Sequence, residues 1–287
     1  MDIHNLTAKD RKKLHTWLRA LIQLLYFLFI PSVYTAAFAG VKYIFTQIGA
    51  GEKIAMTSFV TVLLVICLYT MVFGRFFCGF ACAFGAFGDA LHALYTKACK
   101  KLKKKPVKIP EKAVGILSYM KYLVLLLIVL LCYAGVYGKA QGTSPWDVFS
   151  MIHAGNFRLG GYGIGLVILL LLMAGMCVQE RFFCRFFCPM GAVFSLVPVL
   201  PLFSLHRDRG NCIPKCSACT RKCPSDIGLP EDGSWKVEGD CFQCQKCIDT
   251  CPKKNIHCGV KALRGNEIWF TVLRAVILLG LFIWLGV

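Results

Sequence analysis

The chain has 287 residues, of which 57% are hydrophobic and only 17% are Asp, Glu, Lys or Arg. Soluble domains carry about 25% charged residues, so this composition excludes a disordered protein, a secreted disulfide-rich miniprotein and an ordinary cytosolic enzyme. The formal net charge is +18, and 17 residues are Cys. An odd number of tightly spaced Cys favours metal ligation over disulfides. The composition therefore indicates an integral membrane protein with a smaller polar domain.

Five apolar segments predict membrane-spanning helices, because one span needs about 20 mostly apolar residues. Pro31 interrupts the first of them. Arg274 stands about one turn inside the last, where a long side chain can reach the membrane surface. The fold predicted here is an all-α membrane domain of about five spans. The segments cover residues 17–39, 54–73, 116–136, 161–178 and 268–287.

Lys and Arg are concentrated in alternate loops between these segments. The loop at 97–112 carries eight Lys and one Glu, and the flank at 9–13 is also basic, whereas the intervening loops carry two basic residues each. Short basic loops stay in the cytoplasm, so the N-terminus and the segment after the fourth span are predicted inside and the C-terminus outside. The Lys-rich loop has no aromatic residues among its lysines, which favours membrane lipid over nucleic acid as its partner.

A motif of thirteen residues occurs twice, 106 residues apart. The first copy, at 75–87, reads RFFCGFACAFGAF, and the second, at 181–193, reads RFFCRFFCPMGAV, with eight identical positions. Each copy follows a pair of predicted spans, which makes a parallel repeat about an axis along the membrane normal. We therefore expect the repeat to bring four thiols together at the cytoplasmic edge of the membrane: Cys78, Cys82, Cys184 and Cys188.

Two interpretations of these four thiols remain open. Residues four apart share one face of a helix, so each pair is expected to point one way, and Arg75 and Arg181 favour thiolates. The four would then form a redox or metal centre. Alternatively, Cys packs the helices as a small apolar side chain. The second copy has Pro189 where the first has Ala83, so the two halves need not be equivalent.

Two nearly identical Cys runs follow the fourth span. Residues 241–252 read C-x2-C-x2-C-x3-C-P, and residues 212–224 read the same with one extra residue in the first gap. In this bacterial ferredoxin pattern, three neighbouring Cys bind one [4Fe–4S] cluster and the Cys before Pro binds the other. Zinc sites, the alternative, use C-x2-C pairs separated by longer gaps. The predicted ligands are Cys212, Cys216, Cys219 and Cys251 for the first cluster, and Cys241, Cys244, Cys247 and Cys223 for the second.

These features divide the chain into three predicted parts. Residues 1–204 form the membrane domain with its two repeated helix pairs, 205–261 form a small α+β module with two clusters, and 262–287 form a C-terminal spanning helix. The module is too small, and has too few large apolar side chains, to form much of a core. We therefore expect the clusters to hold it together.

Helix pairs that end in R-x-F-C-x3-C and precede two four-Cys runs resemble the NapH/NosR-like membrane-bound [4Fe–4S] ferredoxin-type electron-transfer proteins. The resemblance covers residues 75–258. It implies a multi-pass protein of the bacterial cytoplasmic membrane that connects a cytoplasmic ferredoxin-like donor or the quinone pool with an extracytoplasmic reductase or flavoprotein. It also implies that the eight module Cys bind clusters. These 287 residues contain no flavin domain of the kind some members carry, so any flavoprotein is expected to be a separate partner.

Two other functions remain open at this point. The first is quinol oxidation within the chain, for which His92, Asp89 and His206 are candidate proton acceptors. The second is a redox sensor or metal-centre assembly factor that resembles the cytochrome-oxidase accessory ferredoxins. Motifs for hydride or group transfer are missing from the sequence. Trp146 is expected outside the membrane, where it contacts a partner or joins the aromatic belt.

Overall fold

The computed structural model describes residues 8–107, 109–158, 160–232, 234, 236–259 and 267–286. Within these residues the chain forms eleven α-helices and two short strands. The predicted boundary between residues 261 and 262 lies outside the described residues. The helices are α1 (Ala8–Phe29), α2 (Val33–Ala50), α3 (Ser58–Phe73), α4 (Ala83–Lys101), α5 (Glu111–Tyr133), α6 (Pro145–His153), α7 (Gly163–Val178), α8 (Phe182–Phe186), α9 (Pro189–Leu196), α10 (Ala218–Lys222) and α11 (Glu267–Leu285). The strands are β1 (Leu205–Arg207) and β2 (Ile256–Cys258).

The first predicted span is two helices rather than one. The axes of α1 and α2 differ by 63° across a break at residues 30–32. Pro31 lies in this break, because proline has no N–H to continue the hydrogen-bond ladder and its ring clashes with the preceding turn. The bend turns the start of α2 toward the repeated motif, where Tyr34 is buried.

The chain is a mainly helical membrane protein. In the part that the structure describes, α5 and α11 are long and apolar enough to cross a membrane, and the bent pair of α1 and α2 gives a third span if it is counted as one. The predicted spans at 54–73 and 161–178 correspond to α3 and α7, which have 16 residues each. Such helices are about 24 Å long, shorter than a hydrocarbon core of about 30 Å. The count of five spans therefore stays a prediction.

Both short helices stop where the repeated motif begins. After α3, the chain turns at Gly74, forms one π-helical turn (Phe77–Ala81) and starts α4 directly after Cys82. After α7, it forms α8 and starts α9 directly after Cys188. Each pair of thiols therefore spans two helical segments joined at the second Cys, not the single helix that the spacing suggested. Pro189 fits this break, because proline is favoured at the first position of a helix.

The two halves of the membrane domain pack against each other through the elements that flank the motifs. Helix α4 of the first half lies against α7 of the second, and α2 lies against α5. Within each half, α2 packs on α3 and α6 packs on α7. A shift of 106 residues relates α3 to α7 and α4 to α9. The motifs therefore lie at the interface between the halves, as expected for an internal repeat.

The module after the fourth span has a small core of its own. Strands β1 and β2 pair antiparallel, with Leu205 opposite Cys258. Leu229, Ile248 and Ile256 are buried beside them. This arrangement agrees with the predicted α+β class, and so small a core is consistent with a module held together by bound clusters.

Trp146 and Arg274 lie in surroundings that differ from those predicted. Trp146 is only 8% exposed and lies 5.5 Å from the rings of Phe38 and Phe183, so it can neither contact a partner nor join the aromatic belt. Arg274 is fully buried and donates to the backbone oxygen of Phe270, so it does not reach the membrane surface. Both errors have one cause, because sequence reasoning assigned these residues to a surface that neighbouring elements cover.

The lysine distribution predicts opposite sides of the membrane for two exposed residues, Lys53 and Lys103. Intact cells treated with a membrane-impermeant amine-reactive biotin reagent should be modified at Lys53 and not at Lys103. Inverted membrane vesicles should show the reverse, as read from the modified peptides by mass spectrometry. Modification of Lys103 in intact cells would contradict the predicted topology.

Candidate metal centres

A small cavity lies inside the module, and five Cys side chains line it. Cys241, Cys244 and Cys247 belong to the second Cys run, whereas Cys219 and Cys223 belong to the first. Burial raises the pKa of Cys241 to about 12, and the charges of Cys244 and Cys223 add to the rise. The structure thus brings Cys223 to the second run, but Cys219, which the crossed assignment gives to the first cluster, lines the same cavity. The crossed ligand assignment therefore stays a prediction.

The chemistry of this cavity fits an iron–sulfur cluster. A buried thiol with so high a pKa stays protonated unless a metal takes the place of its proton. Among the described residues, no three His, Cys, Asp or Glu side chains converge closely enough to hold a single metal ion. Four thiolates, one on each of four iron atoms, are the ligand set of a [4Fe–4S] cluster.

The other predicted ligand set has the same burial pattern as the second set, with three half-buried thiols and one buried thiol. Cys212, Cys216 and Cys251 are half-buried, whereas Cys219 is buried. Arg207 Nη1 donates to Sγ of Cys219 over 3.4 Å, and such donors stabilise thiolate ligands. The contacts of the described residues do not join these four thiols to one another, so their grouping stays a prediction.

The four thiols of the repeated motif are buried between the two halves of the membrane domain, each between 4% and 6% exposed. Burial raises the pKa of Cys82, and the charges of Cys184, Cys78 and Cys188 raise it further, so the four lie close together. Cys188 caps α9, and its Sγ accepts the N–H of Gly191 over 3.1 Å. A helix N-terminus favours a thiolate at this position.

Each arginine of the motif reaches across to the other half. Arg181 donates to the carbonyl oxygens of Cys78 and Gly79 in the first copy. Arg75 donates to Ser195 Oγ over 3.1 Å, directly after the second copy. The exchange is reciprocal, so the two arginines join the halves at the pseudo-twofold axis.

Two glycines of the motif make room for these arginines. A Cβ atom on Gly85 would lie 2.5 Å from Arg181 Nη1, and one on Gly191 would lie 3.1 Å from Arg75 Nη2. These are equivalent positions of the repeat. Both copies therefore have Gly at this position for a steric reason, since each Gly faces the arginine of the other copy.

The second Cys run docks on the first copy of the motif. Phe242, which is 3% exposed, lies under both guanidinium groups, with its ring centre 4.8 Å from Arg75 and 5.7 Å from Arg181. The backbone oxygen of Phe242 lies so close to Gly79 that it would clash with a Cβ atom there, so only glycine allows the loop to approach. The ligand loop of one predicted cluster thus touches the residue next to Cys78.

Ion pairs between two buried cations and a partly exposed carboxylate fix this docking. Asp240 accepts hydrogen bonds from Arg75 over 2.9 Å and from Lys121. Burial alone would raise the pKa of Asp240, but Lys121 and Arg75 hold it below its usual value. Lys121 lies on α5, inside the third predicted span, and its side chain is 3% exposed. Sequence reasoning missed Lys121, although a single charge in an apolar span is a signal of function.

Beside the four thiols, Arg75 has N–H donors that lack an acceptor within the described part of the chain, and these donors mark a position that suits negative charge. Arg75 is 1% exposed, and its Nε and Nη2 atoms have no hydrogen-bond partner among the described residues. The charge of Cys78 raises the pKa of Arg75, so this thiol lies beside the guanidinium. Buried N–H donors without an acceptor are costly, and thiolates that bind a metal centre would accept these two.

The proton acceptors proposed from the sequence are engaged elsewhere. Asp89 pairs with Arg181, and His92 Nδ1 lies 2.9 Å from the backbone oxygen of Cys177. His206 lies in β1 and is 1% exposed, and burial lowers its pKa. None of the three therefore lines a cleft that is open to lipid.

His15 on α1 is the residue that sequence reasoning overlooked. It is 5% exposed, and its Nδ1 lies 2.6 Å from Oδ1 of Asp249, between Cys247 and Cys251. Its Nε2 has no hydrogen-bond partner among the described residues. Because a carboxylate accepts the Nδ1 proton, the neutral ring presents a lone pair on Nε2. A histidine at the polar start of an apolar helix was the available signal.

An apolar groove adjoins, through Leu18, the small cavity that contains His15. The groove lies between α1 and α11, and Phe29 and Leu279 line its outer part. At its inner end, Leu18 also borders this small cavity, which is lined by His15 and Gln245. Gln245 is 4% exposed, and its Nε2 also has no partner among the described residues.

Comparison with known proteins places the repeat in an iron–sulfur family. A family model described as a 4Fe-4S binding domain matches residues 55–106 and 163–205. Each match contains one copy of the Cys-x3-Cys motif, and together they end where the module begins. The family signal therefore comes from the membrane repeat, not from the two four-Cys runs.

Relatives match most of the chain. MJ0750 of Methanocaldococcus jannaschii is 31% identical over 80% of this chain and 88% of its own length. The methylamine utilization ferredoxin-type protein MauN of Paracoccus denitrificans is 30% identical over 67% of this chain and 65% of its own. The ferredoxin-type protein NapH of Haemophilus influenzae is 23% identical over 67% and 64%. No solved structure matches the chain.

The crossed ligand assignment predicts which pairs of substitutions remove the same cluster. Cys212→Ser combined with Cys251→Ser should remove only the first cluster, so about four iron and four sulfide atoms per chain should remain. Cys212→Ser combined with Cys223→Ser should remove both. Iron, acid-labile sulfide and EPR spectra of the anaerobically purified chain check this. If the clusters are not crossed, the two double variants exchange their results, whereas stoichiometric zinc without sulfide would contradict iron–sulfur binding.

Proposed function

Because this chain belongs to the NapH/NosR-like family of membrane ferredoxin-type electron-transfer proteins, we propose that it carries electrons between a donor on the cytoplasmic side and an extracytoplasmic redox partner. The donor is a soluble ferredoxin-like carrier or membrane quinol, and the partner is a reductase or a flavoprotein. The observation that carries this proposal is the contact between Phe242 and Gly79, which joins the module to the membrane motif.

When bound, [4Fe–4S] clusters take up and release one electron at a time. The chain's part is to hold two sulfur-rich sites next to each other and keep water away from them. Cys241 and Cys244 flank Phe242 and Gln243, which are both buried. On the other side of this contact, Cys78 is 6% exposed. The two sites are thus neighbours inside one dry region.

The buried cations favour the reduced form of these sites. Arg75 and Arg181 lie at the contact, and the charge of Cys244 raises the pKa of Arg181, so the cation and this thiol are close. Arg274 Nη1 lies 3.5 Å from Oε1 of Gln243 in the same loop. Each electron added to a thiolate-bound centre adds negative charge, which nearby cations stabilise. We therefore expect reduction potentials at the upper end of the ferredoxin range.

Quinol oxidation at the lipid side is a second candidate function, and the groove that ends near His15 favours it. A quinol has an apolar tail, which suits the walls of the groove, and ring hydroxyls, which suit a polar end. The unpaired Nε2 of His15 is a hydrogen-bond acceptor for one such hydroxyl. His15 replaces His92, Asp89 and His206 as the candidate for this role.

Substitutions of the motif thiols test the membrane centre. Cys78→Ser and Cys184→Ser should each lower transmembrane electron flow at least about 100-fold, and the double variant should be no worse, because residues that act as a unit are not additive. The assay uses vesicles with ferricyanide trapped inside and dithionite outside. Cys132→Ser is the matched control, since Cys132 is a buried single Cys on α5.

If the thiols only pack helices, each Ser variant should cost about 1 kcal/mol of stability and leave electron flow unchanged. Normal flow in both single variants, at equal protein amounts, would contradict the membrane centre. In cells, deletion that stops a partner reductase while leaving the amount and metal content of that reductase unchanged would favour electron supply over the assembly-factor alternative.

The quinol candidate predicts a selective loss when His15 is replaced. His15→Ala should slow cluster reduction by a short-chain quinol about tenfold, because one good hydrogen bond to the ring is lost. Reduction by dithionite should be unchanged. Ala275→Phe, which fills the groove, should act in the same way, whereas Thr16→Ala on the exposed side of α1 is the control. Equal quinol rates in all four proteins would contradict this candidate.

A further inference from the structure

The two cluster-binding runs of the module have opposite surroundings. In the second run, Phe242, Gln243 and Gln245 are buried against the membrane domain, and Lys246 pairs with Glu180. The ligands predicted for the first cluster are flanked by exposed residues instead. One cluster site therefore faces the membrane domain, and the other lies toward the surface of the module.

Five exposed basic residues, which we call the basic rim, are close in sequence to the ligands predicted for the outer site. Each lies within three residues of a predicted ligand of the first cluster, in the segments that follow Cys212, Cys219 and Cys251. Within the part of the chain that the structure describes, none of the five forms an ion pair. The basic rim consists of Lys215, Arg221, Lys222, Lys253 and Lys254.

Several acidic residues of the module are engaged by cations of the membrane domain. Asp249 accepts a hydrogen bond from His15 and pairs with Arg19, both on α1. Asp240 pairs with Arg75 and Lys121. Asp226 likewise pairs with an arginine of α8, over 3.2 Å. The module thus turns negative charge toward the membrane domain and leaves positive charge around its outer cluster site.

We propose that the basic rim is the docking surface of a soluble, acidic one-electron carrier protein, which exchanges electrons at the first cluster site. This inference rests on the electron-transfer function proposed above. Complementary charge steers two proteins together and increases the association rate by orders of magnitude at low salt. The carrier transfers single electrons, because the chemistry of the ligands is that of one-electron clusters.

A protein fits the basic rim better than a lipid surface does. The residues of the rim are sequence neighbours of the half-buried ligands Cys212, Cys216 and Cys251, which a second redox centre would have to approach. Contact with anionic lipid needs no metal ligand at its centre. The exposed lysines at the end of α4, Lys100 and Lys101, already supply a basic segment next to the membrane domain.

The test uses the full chain, purified with its clusters, and an acidic bacterial ferredoxin as the probe. Lys253→Glu with Lys254→Glu should weaken binding of the oxidised ferredoxin at least about tenfold at low ionic strength, as measured by surface plasmon resonance. Electron transfer from the reduced ferredoxin should slow by a similar factor and lose most of its salt dependence. Lys100→Glu with Lys101→Glu is the matched control and should change neither.

Three results would overturn the proposal. In the first, the rim variant binds and accepts electrons like the unaltered chain. In the second, the control variant loses as much as the rim variant. In the third, the rim variant loses binding to phosphatidylglycerol vesicles and keeps ferredoxin binding, which assigns the rim to lipid. Iron content and dithionite reduction must stay unchanged in every variant, so that a failure of the clusters themselves is recognised separately.

Discussion

Two buried guanidinium groups constrain the rest of this structure. Arg75 and Arg181 are at most 2% exposed, and a buried cation is tolerated only with counter-charge and hydrogen-bond acceptors around it. Asp89 supplies the counter-charge for Arg181 and Asp240 does so for Arg75. The carbonyls next to Cys78 supply further acceptors. The position of the module follows from the same need, because Asp240 belongs to it.

Because the motif is repeated, the structure has two such buried arginines, one in each half of the membrane domain. Each arginine crosses to the other copy, but the partners differ: Asp89 lies on α4 in the membrane domain, whereas Asp240 lies in the module. The pseudo-twofold symmetry is therefore broken where the module docks. Phe242 occupies the axis once, under both guanidinium groups. A single docking site on a twofold repeat gives the module one orientation, with its second Cys run inward.

Local patterns in the sequence predicted the parts of this protein, and long-range contacts decided how the parts meet. The motif spacing predicted the repeat and the thiols that share its interface. Pro31 marked the interruption of the first span, although the bend was not foreseen. The carboxylates that pair with Lys121 and His15 are more than 100 residues away from them in sequence. Sequence periodicity does not encode such pairs, and for the same reason it placed Trp146 on a surface.

Cluster assembly and docking are coupled through charge. The loop that contacts Arg75 and Arg181 also carries Cys241 and Cys244, so its conformation depends on ligands that a metal centre holds in place. Gln243 and Gln245 both have positive φ, a backbone conformation that side chains other than glycine adopt at a cost. Without its cluster the loop lacks the metal–ligand bonds that hold this conformation, and Arg75 then loses its contacts with Asp240 and with the ring of Phe242. The folded module with its cluster therefore stabilises the cations that favour a reduced centre. Loss of the cluster would weaken the interface between the module and the membrane domain.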